Sequence, residues 1–375
     1  MILYVSTVSM YHHGKTDDQS VIHRRTQALV LLRNATDLLK PQKESHEQEC
    51  REQHQSLSVL SPREVTLAAH LMHIVTEVMM GNQETEAHLQ AAFCLITELG
   101  FVDRLPQGFY SRFLVQRFAM IDVVLSFLRR RKPLAPLNFA LYQLDDEADE
   151  KEPHFRELTG CYQTVLSFLA RISVLANSPG LSDPRQVAEA YQLESEMRFW
   201  GALRYPDPCL SHEPVISLNM GQDQSTETED IRKRQLDTLS ECFYWVAHLL
   251  LARRVFFDPT TSHRVQLYRR YLFTLMERLP AGCGPDSSLP FPFYMAAREA
   301  ISSHDRDWVR KKHDDMLRKY PDHSRELMMR LTEEIWKKND ADMVAMVQNP
   351  LMPVCWVNDD IYIGFLDSQA SHFLF

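Results

Sequence analysis

An acidic run with the letters DDEAD stands at residues 145–149, shortly after Tyr142. On a helix, carboxylates one turn apart lie on the same face, and their hard oxygens are the ligands that Mg²⁺ prefers. Asp145, Asp146 and Asp149 could therefore bind magnesium and, through it, a diphosphate. The run is flanked on both sides by prolines and further charges, which favours a solvated acidic loop over a metal site.

An aromatic residue followed by DDxxD is typical of all-α isoprenoid enzymes such as terpene synthases. Those enzymes also need a second metal motif far downstream, in which Asn or Asp, Ser and Glu recur at helical intervals. Neither Asn339-Asp340 nor Asn358-Asp359 continues in that way. An isoprenoid enzyme therefore stays open only as an alternative function, carried by the first motif alone.

Three further potential metal ligands are His70, His73 and Glu77, which recur at i, i+3 and i+7 on one predicted helix. This spacing can bring metal ligands together. No second ligand cluster accompanies it, so the favoured interpretation is a pair of histidines on a polar or half-buried helix face. We predict no metal and no other cofactor.

A basic run, RRRK at residues 129–132, ends another predicted helix. Such a run could contact phosphate or a nuclear import receptor. A structural role is favoured, because cations at a helix C-terminus complement the helix dipole. The spacing of Ser, His, Asp and Cys indicates no nucleophilic site, and no glycine-rich phosphate loop is present. We predict that the chain is not an enzyme.

The amino-acid composition is typical of a water-soluble globular protein: of 375 residues, 45% are hydrophobic and 24% are charged. Only 11 glycines are present, which disfavours glycine-rich nucleotide folds and turn-rich β folds. A domain that binds DNA alone is expected to be basic, whereas the net charge here is −9. No signal peptide and no membrane span are predicted.

The seven cysteines are dispersed, and no two form a C-x-x-C pair. An odd number of scattered thiols is typical of a reducing compartment. A basic segment with six closely spaced cysteines, the requirement for a two-zinc cluster, does not occur among these residues. The cysteines are Cys50, Cys94, Cys161, Cys209, Cys242, Cys283 and Cys355.

Helical periodicity predicts an all-α fold of about a dozen helices and no sheet. Ser61-Pro62-Arg63-Glu64 combines an N-cap, a first-turn proline and a capping-box glutamate. Asp183, Ser262, Ser302 and Asp322 are the other expected caps. The predicted helices before the C-terminal part span 21–39, 61–80, 84–99, 110–131, 155–176, 183–202, 231–256 and 262–279. We divide the chain into an N-terminal segment, 1–20, and one helical domain, 21–375, with two sub-bundles meeting near 203–230.

The rest of the fold is predicted to be organised around the stretch from Leu289 to Trp336. Pro292 stands where a short, almost wholly apolar helix would begin, and its fixed φ suits a first turn. Glu299 interrupts the apolar pattern, and a buried carboxylate needs a partner. Arg298 and Arg306 are close enough in sequence to form that ion pair.

The order Phe291-Pro292, then Glu299, then Arg306, then Ile335-Trp336 resembles the C-terminal half of the fungal-specific transcription factor domain. That domain is the helical region of zinc binuclear-cluster regulators, which usually have Trp where this chain has Phe291. A looser likeness extends over residues 21–356. It includes His88-Leu89 before Gly100, Asp122 with the Arg-Lys-Pro ending at Pro133, and Leu158-Thr159-Gly160-Cys161.

The resemblance implies a nuclear regulator of RNA polymerase II genes. Its partners would be other regulators or a second copy, with a possible small-molecule effector, which a cavity under the helix at 291–301 would favour. DNA would be read by a zinc cluster encoded upstream of Met1 or, if the cluster has been lost, only indirectly. The family-pattern residues, to which we assign a structural role, are Phe291, Pro292, Glu299, Arg306 and Trp336. An alternative is a cluster-less module that binds a partner regulator through an apolar surface.

Overall fold

The computed structural model describes residues 2–12, 14–38, 60–80, 85–104, 106, 108–137, 139, 154–178, 183–205, 224–283, 288–321 and 323–348. Over these ranges the protein is all-α, with thirteen α-helices, one π-helical turn and no strand. The predicted all-helical fold without a sheet is therefore confirmed.

The helices are numbered in chain order. They are α1 Ile2–His12, α2 Asp18–Leu38, α3 Pro62–Met79, α4 Thr85–Glu98, α5 Phe109–Leu128, α6 Phe155–Thr159, α7 Gln163–Ala176, α8 Pro184–Ala202, α9 Gln224–Leu250, α10 His263–Glu277, α11 Pro290–Ala297, α12 Ser303–Lys319 and α13 His323–Gln348. The π-helical turn Leu251–Val255 continues α9 directly.

The helix starts with the strongest local signals are confirmed. Ser61 accepts a hydrogen bond from the Glu64 amide at 3.3 Å, and the Glu64 carboxylate accepts one from the Ser61 amide at 2.7 Å. Asp183, Ser262 and Ser302 each accept a hydrogen bond from a backbone amide in the first turn of α8, α10 and α12. These side chains satisfy amides that the first helical turn leaves unpaired.

Three elements differ from the prediction. Helix α9 begins at Gln224 rather than at residue 231. The first predicted helix spans 21–39, but Ile2–His12 already forms α1. Its first turns carry apolar residues all round, so the periodic signal is absent. The helix predicted over 155–176 is divided at Gly160, which has a φ of +77° that ends α6. Apolar periodicity continues across this break and conceals it.

The main hydrophobic core surrounds α5, in which every residue from Phe118 to Leu128 is buried. Helices α3, α4 and α7 pack against α5, while α7, α10 and α11 pack against α9. A smaller core of Tyr4, Val8, Val21 and Ala28 lies where α1 and α2 meet α3. The helices thus enclose α5, α9 and α11 from several sides.

Some sequence expectations lie outside the described residues. They include the acidic run at 145–149, most of the division expected near 203–230, and the expected cap Asp322. Within the described part of the chain, no helix has the length and apolar character needed to cross a membrane.

Candidate functional site

Helix α11 lies at the centre of the main core, and all eight of its residues are buried, as the sequence predicts. It begins at Pro290, two residues before the predicted start at Pro292, because the two prolines both fit a first turn. The Phe291 ring lies 6.3 Å from the ring of Phe127 on α5 and 6.3 Å from that of Phe243 on α9. Phe291 therefore fills the space between α5 and α9.

Glu299, just after α11, is a buried carboxylate with two hydrogen-bond donors and one further guanidinium close to it. Arg253 Nε donates to it at 3.1 Å, Thr260 Oγ1 donates at 2.7 Å, and Arg298 Nε lies at 3.5 Å. The expected contact with Arg298 is therefore found. The alternative partner, Arg306, is wrong, because the principal partner comes from the π-helical turn that follows α9.

Trp336 joins α13 to the end of α11. Its buried Nε1 donates to the Ala297 carbonyl at 2.9 Å. The Arg306 guanidinium lies 5.2 Å from the Trp336 ring and binds both carboxylate oxygens of Asp340 at 2.7 Å. Arg306 Nε also donates to the Ala300 carbonyl at 3.2 Å. The family-pattern residues therefore lie around one helix and take part in its packing.

An aromatic-lined cavity of about 350 Å³ opens between the end of α8 and the facing sides of α9 and α10. We call it the aromatic pocket. Cavities that bind small molecules are typically about 300–1,000 Å³, mainly apolar, with a few polar groups. Its lining residues are Arg198, Gly201, Ala202, Tyr205, Tyr244, Trp245, His248, Leu267, Tyr268 and Tyr271.

Local contacts hold the rings of the pocket wall in place. Gly201 allows α8 to approach α9, because a Cβ at this position would overlap the Tyr244 hydroxyl. That hydroxyl donates to the Met197 carbonyl at 3.2 Å. Trp245 Nε1 donates to Glu241 at 3.1 Å, one turn earlier on α9. The wall is thus fixed by packing and hydrogen bonds, as expected of a preformed binding site.

Two polar atoms at the aromatic pocket are buried and have no hydrogen-bond partner among the described residues. They are His248 Nε2 and the Tyr205 hydroxyl. Burial, with the charges of Arg198 and Arg264 adding to it, lowers the pKa of His248 to about 3, so the imidazole is neutral. Buried polar groups are normally paired, and these two atoms could pair with a ligand.

The sequence expectation of an effector cavity concerned the helix at 291–301, whereas this pocket lies between α8, α9 and α10. The spacing of Tyr244, Trp245 and His248, and of Tyr268 and Tyr271, was the available signal. Aromatic residues three or four positions apart are also typical of a helical core. The pattern alone therefore could not separate a pocket wall from packing.

The expected histidine cluster is present but is buried rather than polar or half-buried. His88 of α4 joins it, with its Nδ1 at 3.1 Å from His70 Nδ1 and its ring centroid at 4.2 Å from that of His73. Over the described residues, no group of His, Cys, Asp and Glu has an arrangement that could hold a metal ion. Burial, with a contribution from His88, lowers the pKa of His70 and of His73 to about 4.

Glu77 has a different role from the one its spacing suggested. It accepts a hydrogen bond from the Tyr4 hydroxyl at 2.9 Å and two from Arg25 at 2.9 and 3.0 Å. The His73 imidazole lies 3.4 Å from the same carboxylate. Glu77 therefore ties α1 and α2 to α3, and the cluster attaches the N-terminal hairpin to the rest of the domain.

The basic run after α5 makes intramolecular contacts. Arg129 binds Glu86 of α4, and Arg131 donates to Asp122 at 3.1 Å. Asp122 also accepts the Ala135 amide at 3.0 Å. These contacts favour the structural interpretation of Arg129 and Arg131 over contact with phosphate.

A second cavity, of about 430 Å³, lies beside α12. Its lining is charged and comprises Glu277, Pro280, Ala281, Trp308, Lys311, Lys312, Asp315, Arg318 and Lys319. Lys312 donates to the Leu279 carbonyl, and Arg318 binds Asp315. Because two of its cations are already engaged and none of its lining atoms is both buried and unpartnered, the aromatic pocket is the stronger candidate.

These features define a helical domain with a large buried core and a small aromatic cavity. The family model of the fungal specific transcription factor domain matches residues 1–361. The chain therefore belongs to this family of transcription-factor domains, and the resemblance identified from the sequence is confirmed. Membership supports a role in transcription regulation. No curated protein and no solved structure matches the chain.

Proposed function

We propose that this chain is the regulatory domain of a nuclear regulator of RNA polymerase II genes. The observation that carries the proposal is the family match over residues 1–361. The domain acts through contacts with other regulators or a second copy of itself, and its activity responds to a small molecule in the aromatic pocket. It acts by binding, without catalysis.

The charge of the chain supports a division of labour in DNA recognition. A net charge of −9 disfavours attraction of the domain as a whole to DNA phosphates. The dispersed cysteines provide no two-zinc cluster within these 375 residues. Recognition of the DNA sequence is therefore assigned to a zinc cluster outside the described helices or to a partner that has one.

A chain of contacts connects the aromatic pocket to α11. Helix α10 contributes Leu267 and Tyr268 to the pocket. The neighbouring Gln266 donates to the backbone carbonyl of Glu299 at 2.9 Å and to that of Thr260 at 2.7 Å. A ligand that prefers one position of α10 would shift the population of α11 arrangements by its differential affinity. This path offers a route from effector binding to the centre of the domain.

A reporter experiment tests the proposal. Residues 1–375 are fused to a heterologous DNA-binding domain without transcriptional activity and tethered upstream of a reporter gene. We expect reporter transcription to rise or fall at least threefold relative to the DNA-binding domain alone. A fusion that is folded, nuclear and bound to the promoter, yet leaves transcription unchanged, would contradict the regulatory role.

A second candidate is a cluster-less module that docks on a partner regulator. It is favoured by large apolar side chains exposed along α8 and at its C-cap, namely Tyr191, Phe199 and Leu203. Replacing Phe199 and Leu203 by Gln separates the two candidates. Reporter activity that disappears with this double variant, while the protein stays folded, favours docking through α8; retained activity favours the first proposal.

The isoprenoid-enzyme alternative has its own direct test. The purified chain is incubated with Mg²⁺ and prenyl diphosphates, beside an Asp145→Asn, Asp146→Asn double variant. We expect no diphosphate release from either protein, since binding is the proposed function. A Mg²⁺-dependent activity that the double variant loses would establish the enzyme instead.

A further inference from the structure

We propose that the aromatic pocket binds a small, flat aromatic molecule that presents an anionic or neutral hydrogen-bond acceptor. This inference depends on the proposed function only for its consequence in transcription, since the binding itself can be measured on the isolated chain. It assigns a chemical class to the effector, and it follows from the shape, the polarity and the unpaired atoms of the cavity.

The shape of the pocket favours a flat ring system. Trp245 lies against Tyr271 with ring centroids 4.9 Å apart, and Tyr205 lies 5.2 Å from Tyr244. Aromatic rings gain energy from stacked and edge-to-face contacts beyond the area they bury. A volume of about 350 Å³ is near the lower end for small-molecule cavities. One or two fused rings fit this space, and a long lipid chain does not.

The charges around the pocket favour an acceptor over a cation. An aromatic lining alone would also suit a quaternary ammonium ion. However, no Asp or Glu among the described residues lines this cavity, whereas Arg198 does. The Arg198 side chain is largely exposed at the rim, where it binds Glu194 at 2.8 Å. A carboxylate on the ligand could bind the same guanidinium with two parallel hydrogen bonds.

The two unpaired atoms specify where the ligand needs polar groups. His248 lines the cavity and is only 3% exposed, and its buried Nε2 has no hydrogen-bond partner among the described residues. The Tyr205 hydroxyl is buried in the same condition. A hydroxyl donates to an acceptor, and a neutral imidazole nitrogen either donates or accepts. A ligand with acceptors at its ring edge satisfies both atoms, which is costly to leave undone in a buried site.

Isothermal titration calorimetry with three matched probes tests this inference. The probes are 2-naphthoate, the corresponding 2-naphthyl-trimethylammonium, and cyclohexanecarboxylate. We expect 2-naphthoate to bind at one site per chain and at least tenfold more tightly than either of the others. Tighter binding of the ammonium ion would show a cation cage and overturn the proposal, as would equal binding of the cyclohexane acid.

Two variants, each with an exposed alanine of α8 replaced by phenylalanine, locate the site without disturbing the core. Ala202→Phe places a ring at the mouth of the pocket and should weaken 2-naphthoate binding at least tenfold. Ala188→Phe makes the same change at another exposed position of α8, outside the pocket lining, and should leave binding unchanged. Equal affinity in the two variants would place the probe elsewhere.

The guanidinium is tested separately with Arg198→Gln. This variant should lose affinity for 2-naphthoate at least fivefold while its preference over the ammonium ion falls. Absence of saturable 2-naphthoate binding overturns this inference and leaves the reporter result standing. Conversely, intact 2-naphthoate binding in a chain that does not regulate the reporter would contradict the proposed function and leave this inference standing.

Discussion

Glu299→Gln is the most informative single substitution among the residues that pack around α11. The carboxylate is 2% exposed and faces two guanidinium groups and one hydroxyl, at 3.1, 3.5 and 2.7 Å. Glutamine keeps the shape of the side chain and can still accept from Arg253 and donate to Thr260. What it removes is the negative charge that compensates two largely buried arginines.

The magnitude follows from this geometry. Hydrogen bonds that involve charged groups contribute about 1.5–3 kcal/mol, and breaking a buried ion pair costs about 3–5 kcal/mol. Because the amide preserves part of the network, we expect the free energy of unfolding to fall by about 2–3 kcal/mol. Urea denaturation followed by far-UV circular dichroism measures the change.

Glu334→Gln is the matched control. Glu334 binds Lys337 at 2.7 Å on the surface of α13, where both side chains are exposed. Exposed ion pairs contribute little, so its effect should be below about 0.5 kcal/mol. Equal effects of the two substitutions, or a more stable Glu299→Gln protein, would refute the reasoning, since the buried charge would then not stabilise the fold.

Three further perturbations are predicted. Trp336→Phe removes the indole donor to the Ala297 carbonyl. It should lower the free energy of unfolding in urea by about 2–3 kcal/mol. A loss below about 0.5 kcal/mol would argue against a buried, hydrogen-bonded indole. Gly160→Ala introduces a Cβ at a φ of +77° and against a leucine of α9. The free energy of unfolding in urea should fall by about 2–3 kcal/mol. An unchanged unfolding midpoint would mean that residue 160 does not have this backbone conformation. Burial lowers the pKa of His70 and of His73 to about 4, so the unfolded chain binds more protons between pH 6.5 and 4. Stability should therefore fall as the pH drops through this window, by about 1.4 kcal/mol per pH unit for each histidine, and a double Gln variant with an equally steep slope would contradict this assignment.

Local signals made much of the fold predictable. Capping by Ser61, Asp183 and Ser302 depends on residues within one turn, so the sequence contains all the information that the start of the helix needs. The burial of α11 followed equally directly from a run of apolar residues with no polar face. The family resemblance then extended these local predictions to the domain as a whole.

Contacts between distant residues could not be predicted in this way. Glu299 pairs with Arg253, which lies 46 positions earlier in the chain, while Arg306, close to it in sequence, binds Asp340 instead. Nearness in sequence suggested the wrong arginine because the packing of α11 against α9 decides the partner. Likewise, His88 joins the histidines of α3 only because α4 packs against that helix.

The aromatic pocket also depends on tertiary structure. Its rings belong to α9, to α10 and to the turn after α8, and its formation needs Gly201 to bring α8 close to Tyr244. A glycine near the end of a helix is an ordinary feature in sequence. What distinguishes the site, a cavity lined by a histidine whose buried Nε2 has no partner among the described residues, exists only after the helices have packed.

The central claim, that this chain acts in transcription regulation, is tested most directly by chromatin occupancy. The protein is tagged at its own chromosomal locus, and chromatin immunoprecipitation with sequencing is combined with transcript measurements after deletion of the gene. We predict enrichment upstream of a defined set of RNA polymerase II genes whose transcripts change on deletion. A tagged, stable protein that is absent from chromatin, together with unchanged transcripts, would contradict the account.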